Sequence, residues 1–147
     1  NILPLLENKK FTTTEQIFYI EGESPYKISY VSHHFTHAAT AFFASEFDKS
    51  LIFTCDAYGE KASTCWFEGN KQNITQIGQI NFPHSIGMFY STITEFLGFR
   101  PYLDEWKVMG ASAYGNPETY LKQMKKLFNF IDGVNFELNL EYFQFYN

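Results

Sequence analysis

Ser32-His33-His34-Phe35-Thr36-His37-Ala38, followed by Leu51-Ile52-Phe53-Thr54-Cys55-Asp56-Ala57-Tyr58-Gly59-Glu60, joins a histidine cluster to an apolar segment that ends in an acid. Residues 26 to 32 are rich in aromatic and β-branched types and read as a strand leading into the histidines. Residues 34 to 45 carry Ala38, Ala39, Ala41, Phe42, Phe43 and Ala44, good helix formers on a nearly all-apolar surface, and predict a buried helix. Since His33 and His37 are four residues apart, that helix brings the two imidazoles one turn apart, where they can share one ion.

The apolar run 50 to 56 predicts a strand ending at Asp56, and Ala57-Tyr58-Gly59 then predicts a turn into a second strand over 62 to 68. A third strand is expected over 74 to 80, after a Gly69-Asn70 turn. Pro83 and Ser85 precede a helical stretch from Ile86 to Leu97, with Gly98 where a C-cap belongs. Pro101-Tyr102-Leu103-Asp104 opens another short helix through about Ala113, and 118 to 128 supplies one more. The tail 134 to 143 reads as extended, and residues 1 to 15 read as irregular. Strands followed by helices, without internal repeats, point to the α/β class: a mixed sheet with a β-hairpin meander and packed helices.

The composition supports an ordered chain. With 147 residues, 45% of them hydrophobic and 20% aromatic, the sequence is too apolar to be disordered and long enough for one domain with a real core. Eleven Lys and Arg against 16 Asp and Glu give a net charge of -5, and the longest basic clusters are the pairs Lys9-Lys10 and Lys125-Lys126. That argues against broad nucleic-acid binding, while a small anionic ligand needs only local donors. Apolar runs fall well short of the ~20 residues that span a bilayer, and no basic segment followed by an apolar one opens the chain. A cytoplasmic protein with Cys55 and Cys65 reduced is the expectation. Asn73-Ile74-Thr75 reads as a surface turn. The first residue is Asn, and the chain closes on Tyr142-Phe143-Gln144-Phe145-Tyr146-Asn147, so it is expected to be cut from something longer, with 1–25 poorly defined and 26–147 forming the main body.

Asp56 stands 23 residues after His33 and adds a hard oxygen donor to the two imidazoles. Two His and one carboxylate suit Fe(II), Mn(II) or Zn(II) with open coordination positions. A zinc-peptidase motif would need Glu directly after the first His, and His34 stands there instead. A histidine beside apolar helix residues is also often a satisfied core group, and an Asp at a strand end often only closes a turn. Both readings stand at this point. Asp56 to Glu60, followed by Ser63 and Thr64, offers backbone N–H groups, a glycine and hydroxyls in a small space, which suits a phosphate. Lys107 lies on a short helix with Gly110 and is placed either to neutralise an anionic group or merely at the surface, the glycine then allowing close helix packing.

Several blocks in one order resemble the amino-terminal, Kae1-like domain of the NodU/CmcH family of O-carbamoyltransferases, the tobramycin carbamoyltransferase-like enzymes. They are His33-His34-x-x-His37-Ala38-x-x-Ala41-Phe42, Asp56-x-x-Gly59-Glu60 with Ser63-Thr64, and Pro83-His84-Ser85-x-Gly87-x-Phe89-Tyr90. They continue through Thr94-x-x-Leu97-Gly98-Phe99-x-Pro101 and Glu105-x-Lys107-Val108-Met109-Gly110-x-x-Ala113-Tyr114-Gly115, covering about residues 28 to 116. The resemblance implies an ASKHA (actin-like ATPase) fold. It also implies a partner YrdC-like domain that makes carbamoyl adenylate from carbamoyl phosphate and ATP, and transfer of the carbamoyl group to a hydroxyl of a small acceptor. On that basis His33, His37 and Asp56 are the expected ligands of a divalent metal, most often iron. Gly59, Glu60, Ser63, Thr64 and Gly110 are expected at the nucleotide, and Lys107 and His34 are the candidate catalytic residues.

The chain departs from the family pattern at Ala57, where a Gly is usual, and at Ala111-Ser112-Ala113, where Leu-Ala-Pro is usual. The family's first strand with its phosphate loop, a further Asp ligand and the YrdC-like domain are not in the sequence, so the isolated chain is expected to be inactive. A threonylcarbamoyl-transfer relative acting on tRNA and a non-catalytic binding module are the alternatives. The aromatic content also leaves room for a homo-oligomer.

Overall fold

The computed structural model describes residues 14–143. They form two compact units, 14–54 with 65–78, and 55–64 with 79–143. The secondary structure is mixed α and β, and no helix among the described residues is long and apolar enough to cross a membrane.

In the first unit, β1 (Thr14–Phe18) pairs antiparallel with β2 (Tyr26–Tyr30), from Thr14 opposite Tyr30 to Phe18 opposite Tyr26. The expected irregular stretch therefore ends in a strand from Thr14 onward, while residues 1 to 13 lie outside the described residues. Helix α1 (His33–Phe43) buries His34, Ala38 and Phe42, a single i, i+4, i+8 stripe. Phe42 sits so close to Gly69 that a Cβ there would stand 2.6 Å from its ring, and Phe35 meets Phe67 edge-on with centroids 6.0 Å apart.

A three-stranded sheet, ordered β3-β4-β5, is made by Lys49–Gly59, Ala62–Asn70 and Asn73–Asn81. Two-residue links join consecutive strands, which only antiparallel neighbours allow. The turns sit later than the sequence suggested. Glu60 (φ 58°) and Lys71 (φ 55°) take the left-handed conformation that such links require, so Ala57-Tyr58-Gly59 stays in β3 and Gly69-Asn70 stays in β4. Gly69 is needed for the close approach of Phe42, not for a turn.

In the second unit, α2 (Ile86–Phe96) starts at Ser85, whose Oγ accepts the Met88 N–H at 3.0 Å, and Gly98 (φ +85°) follows its last turn. Helix α3 (Glu105–Ser112) starts at Asp104. The single helix expected over 118 to 128 is broken into a 3-10 turn (Pro117–Thr119), a four-residue α4 (Leu121–Met124) and a second 3-10 turn (Lys125–Leu127). None of these pieces buries a residue, so no apolar face drives the turns to join. Of the extended tail, only β7 (Phe136–Leu138) forms, antiparallel to β6 (Phe128–Phe130), before a 3-10 turn at Leu140–Tyr142. Phe89 and Phe128 meet edge-on at 4.8 Å, with Phe136 and Leu138 also in the core. Both cysteines are free thiols, Cys65 buried and Cys55 exposed.

Candidate metal centre

His33 and His37 occupy successive turns at the start of α1, with their Nε2 atoms 3.1 Å apart and their ring planes at 82°. Between them His34 turns inward, 2% exposed, and its Nδ1 lies 2.9 Å from Oγ1 of Thr54 on β3. Thr54 in turn donates to the Cys65 carbonyl at 3.4 Å. Asp56 follows two residues later on β3, on the same face as Thr54 by strand alternation. One ligand atom each from His33, His37 and Asp56 lies within 4.8 Å of the others. Among the described residues this is the only cluster of three or more His, Cys, Asp or Glu with such convergence.

The spacing fits a shared ion. Two nitrogens each about 2.1 Å from one cation stand about 3.0 Å apart at a right angle and about 3.4 Å apart at the tetrahedral angle. The observed 3.1 Å lies between these values. Two imidazoles and a carboxylate are the donor set of open Fe(II) sites and also accommodate Mn(II) or Zn(II).

Asp56 is held from its backbone side. Its Oδ1 accepts the N–H of Ala57 at 2.8 Å, and the buried Ser85 hydroxyl lies 2.6 Å from the Ala57 carbonyl and 3.2 Å from the Asp56 carbonyl. Gly87 packs on the same two residues so closely that a Cβ would stand 2.6 Å from the Ala57 nitrogen.

The other expected site residues stand at the end of β3, in the link that follows it, in β4 and on α3. Gly59 is the buried last residue of β3, and Glu60 is the exposed first residue of the turn. The hydroxyls of Ser63 and Thr64 are buried in β4. Ser63 Oγ lies 2.6 Å from the His84 carbonyl and 3.2 Å from that of Ile80, and Thr64 Oγ1 lies 3.9 Å from Cys55 Sγ. Gly110 has open space where a Cβ would go, so the close helix packing allowed for it is not what it serves.

Lys107 Nζ lies 2.9 Å from Oδ1 of Asp104, a residue 4% exposed that also accepts from the Arg100 side chain and backbone N–H, each at 3.1 Å. The Arg100 guanidinium first, then Lys107, holds the Asp104 carboxyl well below the usual carboxylate range. A group depressed in this way contributes stability that is complete above its unfolded value of about 3.9 and fades as pH falls through the folded one. Melting of Asp104→Asn against wild type should therefore show a large deficit at pH 7 that narrows below about pH 4. An equal deficit at pH 7 and pH 3 would assign the loss to packing.

Sequence reading did not single out Thr54 or the Arg100–Asp104 pair. The signal for Thr54 was its position two residues before Asp56 in a strand.

Residues 4–147 match the family model described as Carbamoyltransferase N-terminus. The chain is 37% identical to an uncharacterized protein of Synechocystis over 113 residues, 77% of this chain and 18% of that protein. It is 32% identical to Nodulation protein NolNO of Sinorhizobium fredii over 80% of this chain and 17% of the relative. It is 33% identical to Nodulation protein NolO of Bradyrhizobium diazoefficiens over 76% and 20% respectively. The chain thus spans about a fifth of the length of the curated relatives it matches. With a family match running through both compact units, the chain belongs to the carbamoyltransferase N-terminal family.

Proposed function

We propose that this chain is the transfer part of an O-carbamoyltransferase with an actin-like ATPase (Kae1-like) fold, in which His33, His37 and Asp56 hold one divalent cation beside a bound nucleotide. The carbamoyl group passes from carbamoyl adenylate, made from carbamoyl phosphate and ATP by a YrdC-like domain, to a hydroxyl of a small acceptor. The observation that carries this reading is the convergence of the two imidazoles and the carboxylate in a chain matched to the family.

In the transfer, the acceptor oxygen bonds to the carbamoyl carbon, and the bond from that carbon to the AMP phosphate oxygen breaks. AMP leaves with the electron pair, and the hydroxyl proton passes to a base. The mixed anhydride is already activated, so the site chiefly has to hold the adenylate and orient the hydroxyl. When bound, the cation supplies positive charge at the phosphate oxygens of the leaving group. His34, tied to Thr54, acts as a positioning residue that registers α1 on β3. Gly59 and Glu60 lie three and four residues beyond Asp56 and bring the turn to the phosphates. Lys107, steadied by Asp104, offers a cation to an anionic group of the substrate.

Elemental analysis of the full-length protein tests the ligand set. About one divalent ion per chain is expected, and His37→Ala should carry none. A variant that keeps its full metal content rules the set out.

A further inference from the structure

Between α2 and α3 the chain makes a strained bend. Tyr102 takes φ 63° there, a left-handed conformation that side chains other than glycine rarely adopt and that is held only where the surroundings impose it. Its N–H is taken by Glu105 Oε1 at 2.6 Å, and the same oxygen accepts the Ser91 hydroxyl of α2 at 2.6 Å. Glu105 is thereby committed to α2 and to the bend.

The bend folds Arg100 back onto Asp104. The Arg100 carbonyl accepts the Asp104 N–H at 2.9 Å, while Asp104 Oδ2 accepts the backbone N–H and the Nε–H of Arg100, each at 3.1 Å. Asp104 Oδ1 accepts from Arg100 Nη2 at 3.3 Å and lies 2.9 Å from Lys107 Nζ. Asp104 is the N-cap of α3, where a carboxylate ordinarily accepts a helix N–H, yet it makes no side-chain cap. Its carboxylate is spent on Arg100 and Lys107 instead.

One arginine would neutralise this acid. Two cations on one carboxylate leave a surplus positive charge held in a fixed place. Because both nitrogens reach the same oxygen, they are close enough for one tetrahedral anion to bridge. Arg100 has five side-chain N–H donors and Asp104 takes two, which leaves three on a side chain 72% exposed. Lys107 keeps two of its ammonium protons on a side chain 37% exposed. With both side chains already set by Asp104, an incoming anion meets donors that lose little further freedom. A phosphate monoester carries close to two charges and several acceptor oxygens, so it engages both cations at once. A carboxylate carries one charge and repeats what Asp104 already supplies.

We propose that Arg100 and Lys107, set by Asp104, form a phosphate-binding seat for a small phosphate-bearing ligand. For the ligand's part in the reaction the assignment rests on the role proposed above for Lys107, but its binding chemistry stands on the geometry alone.

Trp106 reports on the seat, because its indole is exposed and Lys107 Nζ lies 5.5 Å from the centre of its ring. Fluorine NMR of the full-length protein labelled with 5-fluorotryptophan tests the proposal, the Trp106 signal being the one missing from Trp106→Phe. Inorganic phosphate and AMP should each shift that signal saturably at constant ionic strength, and acetate should not. Equal affinity for the two puts recognition in the phosphate group alone, while tighter AMP binding adds the nucleoside, and either result supports the seat. Arg100→Gln should weaken phosphate by at least about tenfold, the scale of one hydrogen bond to a charged group. A Trp106 signal that ignores phosphate, answers acetate equally, or responds in Arg100→Gln as in wild type would overturn the proposal. Metal content measured on the same samples separates the two readings. A His37→Ala protein that sheds its ion yet keeps the phosphate response supports the seat on its own. A phosphate response lost in Arg100→Gln with the ion retained also supports it.

Discussion

Asp56→Asn should lower carbamoyl transfer from carbamoyl phosphate and ATP at least about 100-fold, while leaving the melting temperature of the protein nearly unchanged. Loss of a residue that merely orients a metal ligand already costs 10–100-fold, and Asp56 is the only anionic member of the proposed set. Asn keeps the side-chain oxygen that accepts from Ala57 at 2.8 Å, so the strand end retains its local hydrogen bond while the negative charge is gone. The comparison is made on the full-length protein, by the rate of carbamoylated product and by a thermal melt. Wild-type rates in Asp56→Asn would remove the carboxylate from the chemistry. A collapsed melt would instead mean that Asp56 is structural.

Gly87→Ala is expected to be the most damaging single methyl in the second unit. A Cβ at this position would stand 2.6 Å from the Ala57 nitrogen, 2.7 Å from the Asp56 carbonyl carbon and 2.7 Å from its oxygen. All three are backbone atoms, which cannot swing aside as the end of a side chain would, so α2 or β3 must move. Overpacking of this kind costs typically 1–3 kcal/mol, and about 3 kcal/mol is expected here. The displaced strand end should also weaken metal binding, which a structural role alone would not predict. Chemical denaturation and metal content measured together decide it, and a wild-type value for both would show that the helix start shifts without consequence.

The local elements were legible because each had a clear chemical signature. The alanine-rich stretch after His33 formed its helix, and the Ser85 cap and Gly98 stop bracket α2 as read from the sequence. The hairpin turns were misplaced because glycine has two uses. Gly59 and Gly69 looked like turn formers, but both are buried in strands, and the left-handed positions went to Glu60 and Lys71. The broken segment from Pro117 to Leu127 shows the limit of helix propensity alone, since nothing there buries an apolar stripe. At the candidate site the histidine spacing was readable from helix periodicity, but the hold on Asp56 was not. It comes from Ser85 and Gly87, about 30 residues away in sequence, and a periodic pattern carries no information about such long-range packing.

The placement of Thr54 and Asp56 on one side of β3 makes the spacing between them a matter of parity. Inserting or deleting one residue there would leave Thr54 against His34 and swing the carboxylate to the opposite surface of the sheet. The Glu60-Lys61 link lies beyond both residues, so a longer loop at that point leaves the phase of the strand intact. Drift in length within this lineage should therefore collect at the hairpin tip and avoid the two-residue step that precedes it.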